Sequence, residues 1–220
     1  MTTLESGAFR VALTFDAESP DWPTDPGITA AILDVLEQHD VPATFFIQGR
    51  WAQAEPALAR RIADQGHVIA NHSHHHARMT LLTSAGIARD VRAAERAIRS
   101  ATGRDPRPWF RCPFGAGART RRVADGLHAI GYVDVGWHVD GHDWAGDSAA
   151  RLEDRVVRET VAYGDGAVVL LHGWTRSTPV ALPGAIRQLR ERGAVFVGID
   201  SLGSLPGLRS ANATRAPAAG

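Results

Sequence analysis

Short apolar runs rich in Val, Ile and Phe alternate along the chain with longer stretches in which Ala, Leu, Arg and Glu recur at helical spacing. The runs with the length of buried strands cover residues 10–16, 43–49, 67–73, 108–114, 132–140, 167–173 and 194–200. The amphipathic stretches cover residues 25–40, 54–66, 84–103, 119–130, 148–164 and 183–193. This alternation predicts an α/β fold of repeated βα units with about seven parallel strands. Strand order is not encoded in the pattern, so it does not distinguish an open sheet from a closed barrel.

Composition and charge limit the number of domains and the kinds of partner. With 220 residues and 44% hydrophobic content, the chain can bury one sizeable core. We expect a single domain over residues 9–204, an N-terminal tail over 1–8 and a disordered C-terminal tail over 205–220, where the sequence is small, polar and aperiodic. The 24 basic and 24 acidic residues cancel, which argues against nucleic acid or an anionic membrane as a partner.

The cysteine count and the first residues of the chain bear on its cellular compartment. The single cysteine, Cys112, allows no disulfide within the chain. The first residues lack a basic segment followed by an apolar run, and no later run has membrane-spanning length. These features favour a cytoplasmic protein, although a trimmed leader would leave the same sequence.

Polar side chains capable of catalysis follow the predicted strands at their carboxyl ends. They are Asp16, Glu18, His72 to His76, Arg111, Asp140, Asp143 and His172. In parallel α/β architectures this edge is where active sites are built. Five strands that each deliver such a group predict one shared site and therefore an enzyme.

The motif HSHHH, residues 72–76, contains the most specific signal. His72 and His76 are four residues apart, so one helical turn after the strand would place both imidazoles on one face, where they could chelate a metal ion. An acid from the segment LTFDAESP would complete a site with two histidines and one carboxylate. The competing interpretation is a solvated loop without a ligand.

Five motifs in register resemble the polysaccharide deacetylase family, also known as carbohydrate esterase family 4 or the NodB homology domain. They are TFDAE at residue 14, HSHHH at 72, RCPFG at 111, DGHDW at 140 and LLH at 170. Each motif is short, but the resemblance covers residues 10–200. The resemblance implies a distorted (β/α) barrel that hydrolyses the acetyl group of a carbohydrate, such as an N-acetylglucosamine oligomer, with a divalent metal ion, most simply Zn²⁺.

The resemblance also implies a role for each residue. Asp16 is the expected general base and His172 the expected general acid. Arg111 is expected to keep Asp16 ionised, and Asp140 or Asp143 to orient His172. Trp144 and Phe114 are expected to contact substrate.

One departure from the family pattern concerns the metal site. The aspartate that commonly binds the metal is replaced by Ala17, so the sequence must supply its carboxylate from elsewhere. In an extended strand Asp16 and Glu18 point to the same face, and the longer Glu18 could reach an ion held by His72 and His76. Alternatively Asp16 binds the ion, or Glu18 only caps the following loop. An aspartate restored at position 17 is expected to be able to serve as a substitute ligand.

Other functions remain open on sequence grounds. A site with two histidines and one carboxylate also suits a non-haem Fe(II) oxygenase, although such enzymes commonly use all-β scaffolds. The same fold could hydrolyse a small ureide or cyclic amide, or bind sugar without turnover. Cys112 is not expected to act as a nucleophile, because the reaction already uses a water.

Overall fold

The computed structural model describes residues 7–18 and 25–203. Its sheet has eight parallel strands: β1 (Phe9–Ala17), β2 (Thr44–Ile47), β3 (Val68–Asn71), β4 (Trp109–Phe110), β5 (Val133–Asp134), β6 (Val139–Asp140), β7 (Ala167–His172) and β8 (Ala194–Phe196). All seven predicted runs contain strand. The run at 132–140 forms two short strands because the chain bends between Val135 and His138. The predicted disorder of 205–220 lies outside the described residues.

The strands curl into the distorted barrel that the motifs indicated. Their order is β5, β4, β3, β2, β1, β7, β6, and β8 pairs with the first residues of β1. Within the described part of the chain, β5 and β6 have no strand pairing with each other, so the barrel is open there. The carboxyl ends of all the strands meet at one rim, which is where the candidate site lies.

Seven α-helices surround the sheet in the described ranges: α1 (Pro26–Gln38), α2 (Gly49–Ala54), α3 (Pro56–Asp64), α4 (Ser84–Thr102), α5 (Arg121–His128), α6 (Ala149–Tyr163) and α7 (Thr178–Glu191). α4 starts where the Thr83 side chain accepts a hydrogen bond from the Gly86 N–H, and it ends at Gly103, whose φ of 71° suits glycine. α2 was not predicted, because six residues are too few to show a helical period. α7 begins before its predicted start, since Pro183 is accommodated inside it.

The alternation of side chains along β1 separates core from site. Val11, Leu13, Phe15 and Ala17 belong to the main hydrophobic core against the helices. Thr14 and Asp16 are buried on the opposite face, inside the curled sheet. The carboxyl end of β1 therefore presents Asp16 to the rim while Ala17 stays in the core.

In the parts of the chain with described structure, every helix is too short or too polar to span a bilayer.

Candidate active site

Glu18, His72 and His76 form a cluster with the donor set of a metal site. One ligand atom from each residue lies within 4.8 Å of the other two. The Glu18 Oε2 atom is 3.3 Å from His72 Nε2 and 2.5 Å from His76 Nε2. Glu18 and His72 are buried, and His76 is partly exposed. The cluster can therefore be reached from solvent on the His76 side.

The two histidines meet through a tight loop and not through a helical turn, so the predicted reason for their proximity was wrong. Ser73 and His76 have φ values of 66° and 55°, in the left-handed region. The Ser73 Oγ accepts the backbone N–H of His76 at 2.9 Å, and Asn71 Oδ1 accepts the N–H of Ser73 at 2.9 Å. These bonds fold the backbone back on itself and bring His76 over His72.

The hydrogen bonds around the cluster leave lone pairs for a cation. His72 Nδ1 lies 3.0 Å from the carbonyl oxygen of Arg111 and donates to it, which leaves the lone pair of the neutral ring on Nε2. Trp174 Nε1 donates to Glu18 Oε1 at 3.0 Å, whereas Glu18 Oε2 is buried and faces the two imidazole Nε2 atoms. An imidazole pair with a buried carboxylate oxygen matches the preferences of Zn²⁺ and similar divalent ions.

The electrostatics of the cluster favour positive charge. Burial alone would raise the pKa of Glu18, but His72 and His76 hold it well below its usual range. Burial alone would lower the pKa of His72, but Asp16 and Glu18 raise it. Two carboxylates in a buried space require compensation, and a divalent cation supplies it as well as imidazole protons do.

Asp16 lies beside the cluster and is held by Arg111. Arg111 Nη1 donates to Asp16 Oδ1 at 2.7 Å, and Asp16 Oδ2 is 3.5 Å from His72 Nε2. Arg111 is fully buried, and its other N–H groups donate to Thr14 Oγ1 and to the carbonyls of Val135 and Gly136. Its guanidinium also lies 3.9 Å from the centroid of the Phe46 ring. This fixed position leaves only Oδ2 of Asp16 open towards the site.

His172 and Asp143 form the second functional pair. His172 Nδ1 lies 2.7 Å from Asp143 Oδ1, and the backbone N–H of His172 donates to Asp143 Oδ2. The hydroxyls of Thr175 and Thr178 also donate to Asp143 Oδ2, each at 2.7 Å. Asp143 is therefore fully satisfied and rigid, and the Nε2 atom of His172 is the one left to act on substrate.

The pKa values of this pair follow from the same contacts. Burial alone would raise the pKa of Asp143, but the His172 charge and its hydrogen bonds lower it. Burial alone would lower the pKa of His172, but Asp143, with smaller effects from Asp16 and Glu18, raises it to about 9. His172 is consequently protonated near neutral pH in the metal-free protein.

The remaining predicted residues take different places. Asp140 does not reach His172; its Oδ1 accepts the backbone N–H of His142. Trp144 and Phe114 are exposed by 49% and 58%, and the Phe114 ring centroid is 4.4 Å from that of His76. Cys112 is buried, which raises the pKa of its thiol and makes a nucleophilic role unfavourable. Ala17 has no exposed surface and belongs to the helix-side core, which argues against an aspartate there reaching the ion.

Supporting residues were missed at the level of sequence. Asp90, on α4, is buried and accepts the backbone N–H groups of His74 and His75 at 2.8 and 3.2 Å, which fixes the loop between the two metal-binding candidates. Trp174, Thr175 and Thr178 are the other such residues. Asp90 lies on the face of α4 that otherwise carries Ile87, Val91 and Ala94. An acidic residue on this apolar face was the feature of the sequence that could have indicated its role.

Known proteins with similar sequences and structures are deacetylases or their relatives. The polysaccharide deacetylase model matches residues 4–135. The chain is 32% identical over 193 residues to a peptidoglycan-N-acetylglucosamine deacetylase of Listeria monocytogenes, covering 88% of this chain and 38% of that protein. It is 39% identical over 167 residues to a chitooligosaccharide deacetylase of a Bradyrhizobium strain, covering 76% of this chain and 72% of that protein. The chain thus spans well under half of the Listeria relative.

One of the similar solved structures is that of a pseudoenzyme. A pseudoenzyme of carbohydrate esterase family 4 from Bacillus anthracis matches with a TM-score of 0.77 and 32% identity, covering 90% of this chain and 66% of that one. The shared fold therefore occurs both with and without catalysis, so activity depends on the residues at the site.

Proposed function

The chain belongs to the polysaccharide deacetylase family, and we propose that it is a metal-dependent hydrolase that removes the acetyl group from an N-acetylated or O-acetylated carbohydrate, such as an N-acetylglucosamine oligomer. One observation carries the proposal. At a single rim, the Glu18, His72 and His76 cluster lies beside Asp16, and the His172–Asp143 pair follows the adjacent strand β7. A metal ligand set, a base and an acid are the groups that amide hydrolysis needs.

Glu18, His72 and His76 would hold the divalent ion, most simply Zn²⁺. When bound, such an ion polarises a carbonyl oxygen and lowers the pKa of a coordinated water. Trp174 orients the Glu18 carboxylate, and the Arg111 carbonyl orients the His72 ring. Both residues prepare the ligands before any ion arrives.

Asp16 accepts the proton of the attacking water. Its Oδ1 is committed to Arg111, so Oδ2 is the atom that takes the proton. The Arg111 guanidinium also fixes the direction in which this carboxylate faces. Glu18 is less suited to this step because its free oxygen points between the two imidazoles.

His172 supplies a proton to the leaving group. The proton on Nδ1 is held by Asp143, and the proton on Nε2 passes to the departing amine, or to the departing oxygen of an O-acetyl substrate. Asp143 keeps the ring charged and correctly turned, with Thr175 and Thr178 fixing Asp143 in turn. Asp140 has no part in this pair and remains only a predicted contributor to the site.

Trp144 and Phe114 supply exposed aromatic surface on which a sugar ring can pack. We infer that they wall the substrate pocket.

A non-catalytic sugar-binding protein is the second candidate, because a structural relative at 32% identity is a pseudoenzyme. The two functions differ in turnover. The binding protein would hold an acetylated sugar unchanged, with or without a metal chelator. Retention of Asp16, His172 and the complete metal cluster favours the enzyme.

The decisive experiment is acetate detection across a panel of N-acetylglucosamine oligomers, peptidoglycan fragments and acetylated xylan. We expect acetate release that is abolished by a chelator and restored by Zn²⁺. Elemental analysis should give one divalent ion per chain, lost in the His72→Ala, His76→Ala double variant. The matched control is the His74→Ala, His75→Ala variant, whose side chains lie outside the cluster. Silence across the whole panel would refute the deacetylase.

A further inference from the structure

Trp174 contacts the candidate metal ligand Glu18 through the N–H group of its indole. The Trp174 Nε1 atom donates to Glu18 Oε1 at 3.0 Å, and the Trp174 side chain is partly buried. An indole carries one donor and no acceptor, so Trp174 can neither bind a cation through nitrogen nor take a proton. Because the acceptor is a carboxylate, the hydrogen bond is charge-assisted. It occupies one oxygen of Glu18 and leaves the other for a cation.

The two carboxylate oxygens of Glu18 therefore have different surroundings. The Oε2 atom lies 3.3 Å from His72 Nε2 and 2.5 Å from His76 Nε2, whereas Oε1 faces the indole of Trp174. Glu18 is buried, so solvent does not readily replace the indole as the partner of Oε1. Of the two oxygens, Oε2 is the one directed towards both imidazoles.

The turn that carries Trp174 is fixed on both sides of this residue. The Gly173 N–H donates to a carbonyl oxygen of β1 at 2.9 Å, and the Thr175 hydroxyl donates to Asp143 Oδ2 at 2.7 Å. The indole also packs against the His172 ring, with 5.4 Å between the ring centroids. The Trp174 N–H is thus held towards Glu18 by the protein itself and needs no ion to place it.

We propose that Trp174 is a positioning residue that restricts Glu18 to one ligating oxygen and so favours Zn²⁺ over ions that prefer more oxygen ligands, such as Mn²⁺. The inference rests on the proposed metal site and adds its selectivity. Two imidazoles and one carboxylate oxygen suit the low coordination number of Zn²⁺. Mn²⁺ prefers a larger set of carboxylate, carbonyl and water oxygens, which a second oxygen from Glu18 would help to supply.

The test compares the affinities for Zn²⁺ and Mn²⁺ in Trp174→Phe, which keeps an aromatic ring and removes the N–H. With Oε1 released, the ratio of Zn²⁺ affinity to Mn²⁺ affinity is expected to fall about 10-fold. Calorimetric titration of the metal-free protein with each ion measures both affinities. The matched control is Trp109→Phe, the same substitution at a side chain that packs on the interior cluster of Ala12 and Val168, and it should leave the ratio unchanged.

A double variant separates positioning from a structural role. In a Glu18→Ala background, Trp174→Phe should leave the ratio unchanged, because the carboxylate on which the indole acts is absent. An unchanged or increased ratio in Trp174→Phe, even with weaker binding of both ions, would overturn the inference. A fall in the ratio that persists without Glu18 would overturn it as well.

Infrared spectra of the wild-type protein give a check that does not depend on folding of a variant. When Zn²⁺ is added, binding through one oxygen should widen the separation between the antisymmetric and symmetric stretches of the Glu18 carboxylate, assigned by its loss in Glu18→Ala. A narrower separation, which indicates binding through both oxygens, would contradict the role of Trp174.

Acetate release by the same wild-type protein distinguishes failure of this inference from failure of the proposed function. Turnover together with an unchanged affinity ratio in Trp174→Phe would overturn the role of Trp174 and leave the deacetylase intact. Zn²⁺ binding without turnover would refute the deacetylase, and a Glu18-dependent fall in the ratio would still support the role of Trp174. Absence of Zn²⁺ binding by the wild-type protein would overturn both proposals.

Discussion

Asp16 and Glu18 approach the same atom: Oδ2 of Asp16 and Oε2 of Glu18 lie 3.5 and 3.3 Å from Nε2 of His72. Side chains two residues apart share a face of a strand, and Ala17 between them faces the helices. The triplet Asp-Ala-Glu thus delivers two carboxylates to one site without a sharp turn. Their neighbours differ, since Arg111 holds Asp16 and the two imidazoles face Glu18.

Removing the Glu18 carboxylate should weaken metal binding. Glu18→Ala is expected to lower Zn²⁺ affinity at least about 10-fold, because it deletes the one acid in the three-residue cluster. Glu18→Asp should be partly tolerated. Competition with a chromophoric chelator measures the affinity, with the exposed Glu191→Ala as control. Unchanged affinity in Glu18→Ala would transfer the ligand role to Asp16.

An aspartate at position 17 should destabilise the protein and add no ligand. Ala17→Asp buries a carboxylate among apolar side chains, at an expected cost of about 3 kcal/mol or more. Urea denaturation of Ala17→Asp and of the smaller, neutral change Ala17→Ser measures the difference. A stable Ala17→Asp protein with tighter Zn²⁺ binding would show that the strand can turn its side chain inward.

The proposed base and acid should each be essential for turnover. Asp16→Asn and His172→Ala are expected to reduce kcat by roughly 10²-fold or more with smaller effects on KM. Far-UV circular dichroism checks that both variants fold. Near-normal turnover in Asp16→Asn would mean that another group takes the proton, and Glu18 would be the first to examine.

The His172–Asp143 pair should control the dependence on pH. In the metal-free protein, NMR titration of the ring should give His172 a pKa of about 9. Asp143→Asn should lower that pKa, since burial is then opposed only by the smaller effects of Asp16 and Glu18. The pKa is raised by folding, so the pair stabilises the protein fully below pH 6.5 and the stabilisation is lost as pH rises through 9. An unshifted His172 pKa in Asp143→Asn would contradict the pairing.

Asp90 should control metal affinity from outside the cluster. Asp90→Ala removes the acceptor of two backbone N–H groups in the loop between His72 and His76. Zn²⁺ affinity is expected to fall about 10-fold, and Asp90→Asn, which retains one acceptor oxygen, should lose less. Asp34→Ala, on the exposed face of α1, provides the matched control. Wild-type affinity in Asp90→Ala would show that Ser73 and Asn71 fix the loop unaided.

The alternating strands and helices were predictable from the sequence because the spacing of apolar residues reflects which side chains are buried. All seven apolar runs contain strand, and all six amphipathic stretches contain helix. The split of residues 132–140 into β5 and β6 was not predictable, since the bend arises from how the curled sheet ends. α2 was missed because its six residues are held by packing against α4 and not by a period of their own.

The candidate site was predictable to the extent that strand ends share a rim. Asp16, Glu18, His72, His76, Arg111, Asp143 and His172 do come together there. The choice of Asp143 over Asp140 depended on the three-residue turn that follows β6, which spacing alone does not specify. The geometry of the HSHHH loop depended on left-handed residues and on Asp90, which is distant in sequence.

The Arg111 guanidinium donates hydrogen bonds to the carbonyls of Val135 and Gly136, in the segment that joins β5 to β6. The same side chain holds Asp16, and its own carbonyl orients His72. Arg111 therefore supports both the fold and the candidate site. Substitutions at Glu18 or in the loops would affect only the candidate site. Substitution of Arg111 would also remove hydrogen bonds that hold the sheet together. A relative that lacks catalytic activity is therefore expected to keep this arginine.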